Sequence, residues 1–232
     1  MRIHNFFIQE TIGDEKEVVL NDVELFHQLR NVFRMNVASR VILLDNTGFE
    51  YVSAVTSFAR GTLTFRILEK RKNINIPKKE ITLFQSIIKK SNFEWVLEKG
   101  TELGVSHFVP LLSERSEKKK INSERAKKIL KESSEQSGRG ILPTIAESVS
   151  LPEAISSLPS PSSALVFDPS GSLFQSNTLH LTPYTLFIGP EGGWSEKELA
   201  LFREKNIPVY SLGPQILRSE TATIAVLSLL LL

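Results

Sequence analysis

From residue 80 onward, short runs rich in β-branched and aromatic residues alternate with helical patterns, and this alternation constrains the fold more than any other feature of the chain. ITLFQSI, SHFVPLL, SALVFD, YTLFIG and IPVYSLG read as short buried strands. Between them, Ser91-Asn92-Phe93-Glu94 forms a capping box that opens a helix to about Leu103, closed by Gly104. A second helix is expected over 122–137, ended by Gly138, and a second capping box, Ser195-Glu196-Lys197-Glu198, opens a third. Such alternation predicts an α/β domain with a mainly parallel sheet. The Ser- and Pro-rich stretch 151–163 reads as a connector with one short helix.

The first 72 residues have another character. RIHNFFI, RVILLD, FEYVSAV and TLTFRIL read as strands separated by turns, interrupted by one helix from Asn21 to about Arg34 with Asn21 or Asp22 as its N-cap. A small β-barrel with one inserted helix is the expectation. The charged segment 69–79 contains Pro77 and has no regular periodicity, so the boundary is placed there, giving domains 1–72 and 73–232.

Composition narrows the chemistry. None of the 232 residues is cysteine, which removes disulfides, thiolate metal sites and a thiol nucleophile together. The histidines at 4, 27, 107 and 180 show no ligand spacing, so no metal is expected. The apolar run 223–232 is about half of what spans a bilayer, and the first residues lack an apolar signal core, so a cytoplasmic protein without membrane contact is expected. Lys and Arg outnumber Asp and Glu 14 to 9 over 73–142, whereas the order is 4 to 8 over 143–232. Within the middle, 115–131 holds eight basic and two acidic residues, which suits a polyanion but also a solvated helix face.

Two bends near the C-terminus concentrate the functional signal. IGPEGGWSEKELA, 188–200, carries three glycines, a proline and Glu191 between a strand and a capped helix, the kind of turn at which α/β sheets bind ligands; a merely tight connection is the alternative. Neither phosphate-cradling glycine motif is present. Glu191 would repel a pyrophosphate but suit a ligand with a positive centre, such as the sulfonium of S-adenosylmethionine, although a carboxylate near a helix N-terminus is also favourable by itself. SLGPQILRSETATIAVL, 211–227, repeats the strand, bend and helix, with Ser219 expected as N-cap. Arg218 then sits at the unfavourable end of the helix dipole and calls for an anionic partner: Glu191, a ligand carboxylate or an RNA phosphate. The following helix is apolar around much of its circumference, as at a subunit interface.

The pair IGPEGGWSEKEL and SLGPQILRSETA, with FEWVLEKGTELGVSHFVPLLSERS and SSEQSGRGILP upstream, resembles the ribosomal RNA small subunit methyltransferase E family of the SPOUT class. The resemblance covers about residues 80–227 by motif and the first 72 by architecture. It implies a PUA-like RNA-binding barrel, a trefoil-knotted α/β domain, a homodimer packed through the knot, and methyl transfer from S-adenosylmethionine to N3 of a uridine in the decoding region of 16S rRNA. Cofactor binding is implied for Val166 and Phe167, for Ile188, Gly189, Pro190, Gly192 and Gly193, and for Leu212, Gly213, Ile216 and Leu217. The chain departs from the family where 36–39 reads Asn-Val-Ala-Ser instead of a glycine-containing turn, where Phe33 replaces a leucine, and where Gln215 replaces a basic residue.

The missing cysteine fits this chemistry, since methylation at C5 of a pyrimidine usually needs an attacking thiolate whereas a ring nitrogen attacks directly. Arg218 and Glu191 are the candidate catalytic residues, Arg218 for the developing uridinate or its flanking phosphate and Glu191 to orient either Arg218 or the proton acceptor. For RNA, His27, Arg30 and Arg34 fall at i, i+3 and i+7 and would share a helix face. Arg115, Lys118, Lys119, Lys120 and Arg139 are candidates for phosphate contact. Trp95 and Trp194 read as packing residues. An inactive RNA-binding or ribosome-assembly factor of the same fold, or a SPOUT enzyme with another RNA target, are the competing readings.

Overall fold

The computed structural model describes residues 3–59, 61–117, 120–175 and 184–232. The chain divides into two compact units, 1–76 together with 134–142, and 77–133 together with 143–232.

In the first unit, β1 (His4–Phe7), β3 (Arg40–Leu44), β4 (Phe49–Ala59), β5 (Thr62–Lys72) and β2 (Glu17–Leu20) form a barrel-like sheet in that order. β1 runs parallel to β3 and the other pairs are antiparallel. Alternate residues turn inward, so Leu20, Leu43, Tyr51, Val55, Leu63 and Phe65 make the core together with Leu25 and Leu29.

Helix α1 (Val23–His27) starts at Asp22, whose carboxylate accepts the Leu25 N–H at 2.9 Å. The expected helix to Arg34 does not continue as such. Residues Gln28–Val32 wind more widely, with the Phe33 N–H donating to the Gln28 carbonyl five residues back, and Arg34 turns left-handed at φ 52°. The wider turn lets Leu25, Leu29 and Phe33 all reach the core, where Phe33 meets Phe6 edge-on at 5.3 Å.

β5 also runs into the segment expected to be a linker. Lys70 lies over the Phe49 ring at 4.9 Å and Arg71 pairs with Glu50, so a polar sequence without alternation is held as strand by its partner β4. Residues 134–142 belong to this unit through particular hydrogen bonds. Glu135 accepts the Phe7 N–H at 2.8 Å, and buried Asn73 donates to the Gly138 carbonyl at 3.0 Å.

The second unit is a parallel sheet in the order β12 (Val209–Ser211), β10 (Ala164–Leu173), β11 (Tyr184–Ile188), β6 (Ile81–Ser86), β7 (His107–Leu112) and β8 (Thr144–Ile145), with β9 (Val149–Ser150) also on β7. Both faces are covered, which is why the strands read as continuous apolar runs. On one face Leu83, Leu165 and Leu186 pack with α2 (Lys90–Leu103), α3 (Ser123–Ser137) and α6 (Ser219–Leu231); on the other Phe84, Val166 and Phe187 pack near α4 (Leu151–Ser156) and α5 (Glu196–Glu204). Phe84 and Phe187 stack at 4.7 Å.

Two expected caps are corrected. α2 begins at Lys90, so Ser91 lies inside it, its hydroxyl on Asn92, and Glu94 pairs instead with Arg125. α6 has Arg218, not Ser219, at its N-cap, because the Ser219 hydroxyl is committed to a buried network. Among the described residues, no helix is long and apolar enough to cross a membrane.

Candidate functional site

The chain leaving the C-terminal ends of β11 and β12, together with Phe167, Asp168, Pro169 and Ser170 at the irregular middle of β10, lines a cleft of about 440 Å³. That size suits a nucleoside-sized ligand. Phe167, Ile188, Leu199, Tyr210 and Leu212 supply apolar lining, while Asp168, Glu191 and Glu196 bring three carboxylates to it.

The first bend, 189–195, is held from three directions. The Gly193 N–H closes a turn on the Pro190 carbonyl at 2.9 Å, with Gly193 at φ 68°, a conformation that glycine adopts without penalty. Trp194 is buried, and its indole N–H donates to the Phe167 carbonyl at 3.1 Å, tying the bend to β10. Arg115 donates to the Gly192 carbonyl at 2.8 Å and to that of Trp194 at 3.3 Å. Helix α5 then starts with the expected capping box: Ser195 accepts the Glu198 N–H, and Glu198 accepts that of Ser195 at 2.8 Å. The other Glu198 oxygen accepts the Glu114 N–H at 2.9 Å, so this buried carboxylate fastens the bend to a neighbouring loop as well.

The second bend follows β12. Gly213 stands at φ 128°, and its N–H points to the Ser211 hydroxyl at 3.4 Å. Ile216 and Leu217 line the cleft, Ile216 with 86% of its surface exposed. Large apolar side chains left open beside a cleft are suited to being covered by a ligand.

Of the residues expected at a cofactor, Phe167, Ile188, Gly189, Pro190, Gly192, Gly193, Leu212, Gly213, Ile216 and Leu217 all line the cleft. Val166 does not: strand alternation turns its fully buried side chain to the opposite face, among Phe84, Phe187 and Trp194. Glu191 lines the cleft, and its carboxylate accepts the Lys89 N–H at 3.3 Å, at the start of α2. Of the three anionic partners considered for Arg218, Glu191 is not paired with it here. Arg218 is exposed and makes no ion pair among the described residues.

The residues expected at RNA fare differently from one another. Lys118 and Lys119 lie outside the described residues, and Lys120 is exposed. Arg115 spends its guanidinium on the first bend. Arg139 is only 4% exposed, its Nε donating to the Ile141 carbonyl at 2.7 Å, and burial pushes its guanidinium down to about 10; it is no surface contact for phosphate. His27, Arg30 and Arg34 do not share one helical face, because the wider winding and the left-handed Arg34 interrupt the period. Arg30 stacks over Phe58 at 5.3 Å and donates to the Asn36 side chain at 3.2 Å, while His27 meets Asn31 at 2.9 Å.

Sequence reasoning missed Gln85, Thr223 and the second role of Ser219. These three buried polar side chains join β6, α6 and the first bend. Their only sequence signal is a glutamine inside an apolar strand. Among the described residues, no three histidine, aspartate or glutamate side chains converge as a metal site would require.

The profile of the RNA methyltransferase domain matches residues 75–231. The ribosomal RNA small subunit methyltransferase E of Bacillus subtilis is 30% identical over 97% of this chain and 95% of its own. That of Aquifex aeolicus is 30% identical over 99% of each. The crystal structure of ribosomal RNA small subunit methyltransferase E from Neisseria gonorrhoeae bound to S-adenosyl methionine superposes with a TM-score of 0.89. It is 28% identical and covers 98% of this chain and 96% of that one.

Proposed function

Because the chain belongs to the ribosomal RNA small subunit methyltransferase E family, we propose that it transfers the methyl group of S-adenosylmethionine to N3 of one uridine in the decoding region of 16S rRNA. The observation that carries this reading is the cleft, in which two glycine bends and the irregular middle of β10 meet around apolar walls and three carboxylates.

The residues present fit the cofactor. Phe167, Ile188 and Leu212 offer apolar surface for an adenosyl group, and Asp168, Glu191 and Glu196 favour a ligand with a positive centre. When bound, S-adenosylmethionine supplies an electrophilic methyl group on a sulfonium. The protein then has to place the uracil N3 in line with it, a service that can lower a barrier by about 7–11 kcal/mol, and to exclude water. No side chain has to attack, in keeping with the absence of cysteine.

N3 must also give up its proton. Arg218 is exposed at the N-cap of α6, immediately after the bend that lines the cleft, and its guanidinium is free to stabilise the charge that develops on the base or to hold a flanking phosphate. Glu191, held by the Lys89 N–H, acts as an electrostatic partner of the cofactor's positive centre rather than of Arg218. Arg30, Arg34, His27 and Lys120 contact RNA, the first three from the barrel-like unit. The active form is a cytoplasmic homodimer packed through its C-terminal part, where Leu229 and Leu232 leave apolar surface open.

Mass-spectrometric mapping of 16S rRNA from cells with and without the protein tests the assignment. A single 3-methyluridine that disappears without the protein supports it; a methyl group lost at another atom or in another RNA contradicts it.

A further inference from the structure

Behind the cleft, the two bends are joined by three buried polar side chains that the methyl-transfer chemistry does not use. Gln85 lies near the end of β6, and Ser219 and Thr223 lie in the first turns of α6; they are 1%, 6% and 1% exposed. Their hydrogen bonds have one consistent direction. The Ser86 carbonyl can only accept, so the amide nitrogen of Gln85 faces it, at 3.1 Å. The second amide hydrogen donates to the Ser219 oxygen at 2.9 Å, and the single Ser219 proton goes to the Gly189 carbonyl at 2.6 Å. Thr223 donates to the Gln85 carbonyl oxygen at 2.6 Å, with the Ser219 carbonyl at 2.9 Å as its other acceptor.

Gly189 opens the first bend, and Ser219 immediately follows the second. The hydrogen bond between them therefore spans the two chain segments that a bound cofactor must touch at once. Apolar side chains of similar volume would fill this space without polar burial, but they would leave the spacing soft.

We propose that Gln85, Ser219 and Thr223 are positioning residues that set the separation of the two bends and thereby the affinity for S-adenosylmethionine. The proposal rests on the methyltransferase reading above. Gln85 holds the Ser219 hydroxyl in the orientation that reaches Gly189, and Thr223 holds Gln85.

The test compares Gln85→Leu, Thr223→Val and Thr223→Ser with the wild-type chain by calorimetric titration with S-adenosylmethionine, by methyl transfer at saturating cofactor, and by thermal melting. Gln85→Leu and the nearly isosteric Thr223→Val are expected to weaken binding about tenfold, the loss that follows when buried polar partners go unmet. The rate at saturation falls much less, and Thr223→Ser restores most of the affinity. If Gln85→Leu does not fold, the Thr223 pair decides alone. Unchanged affinity in Thr223→Val, or a loss that Thr223→Ser does not restore, overturns the positioning role while leaving the methyltransferase reading intact. Failure of the wild-type chain to bind S-adenosylmethionine rejects that reading, and this proposal with it.

Discussion

Gly213 stands at φ 128°, where a side chain of L-configuration meets its own backbone, and it does so on the wall of the cleft. Gly213→Ala is expected to cost roughly 1–3 kcal/mol, read as a lowered melting temperature together with weaker S-adenosylmethionine binding. Ala38 shows the converse. It occupies φ 71° in an exposed turn, a left-handed conformation that costs an alanine but not a glycine, so Ala38→Gly is expected to stabilise the first unit by about 1 kcal/mol in denaturant unfolding. Arg218, exposed and without an ion-pair partner among the described residues, is proposed for the chemistry rather than for the fold. Arg218→Ala should lower the methyl-transfer rate by about 10²–10³ with cofactor affinity little changed. A calorimetric loss of cofactor binding with an unchanged rate per bound cofactor would remove Arg218 from catalysis. The bends were legible in sequence because glycine, proline and capping residues act on their immediate neighbours. The directed chain from Thr223 through Gln85 to Ser219 was not, because 134 positions separate Gln85 from Ser219 and a serine before a helical run resembles a cap.

At the scale of elements, the first bend and α5 behave as one piece. Glu198 accepts from Ser195 within its own capping box and from Glu114 across the cleft's rim, and it is buried. Glu198→Ala is expected to destabilise the second unit by about 1–3 kcal/mol, measured by denaturant unfolding, because two backbone donors lose their acceptor. The capping box itself could be read from Ser195 and Glu198, three positions apart; its second acceptor role could not. The same divide runs through the helices. Asp22 announces α1 locally, yet the wider winding after His27 is imposed by the positions that Leu29 and Phe33 take in the core. The start of α2 is not legible locally, since its N-cap Lys89 offers no side-chain cap and its N–H meets Glu191, 102 positions away.

For the whole molecule, the alternation of strands and helices announced a parallel sheet, and the β-rich first 72 residues announced a barrel-like one. The membership of 134–142 in the first unit was not legible, since it depends on Asn73 and Glu135 finding main-chain partners far away in sequence. RNA binding is expected to weaken steeply with salt, and replacing Arg30 or Lys120 by alanine should lower the slope of log affinity against log salt by about 0.7–1. The bends 188–193 and 212–217 are proposed to hold S-adenosylmethionine together. Hydrogen-exchange mass spectrometry of the full chain with and without this cofactor tests this most directly. Both bends are expected to gain protection together, at the same cofactor concentration; protection of neither bend, or of a surface elsewhere alone, would contradict a shared cofactor site.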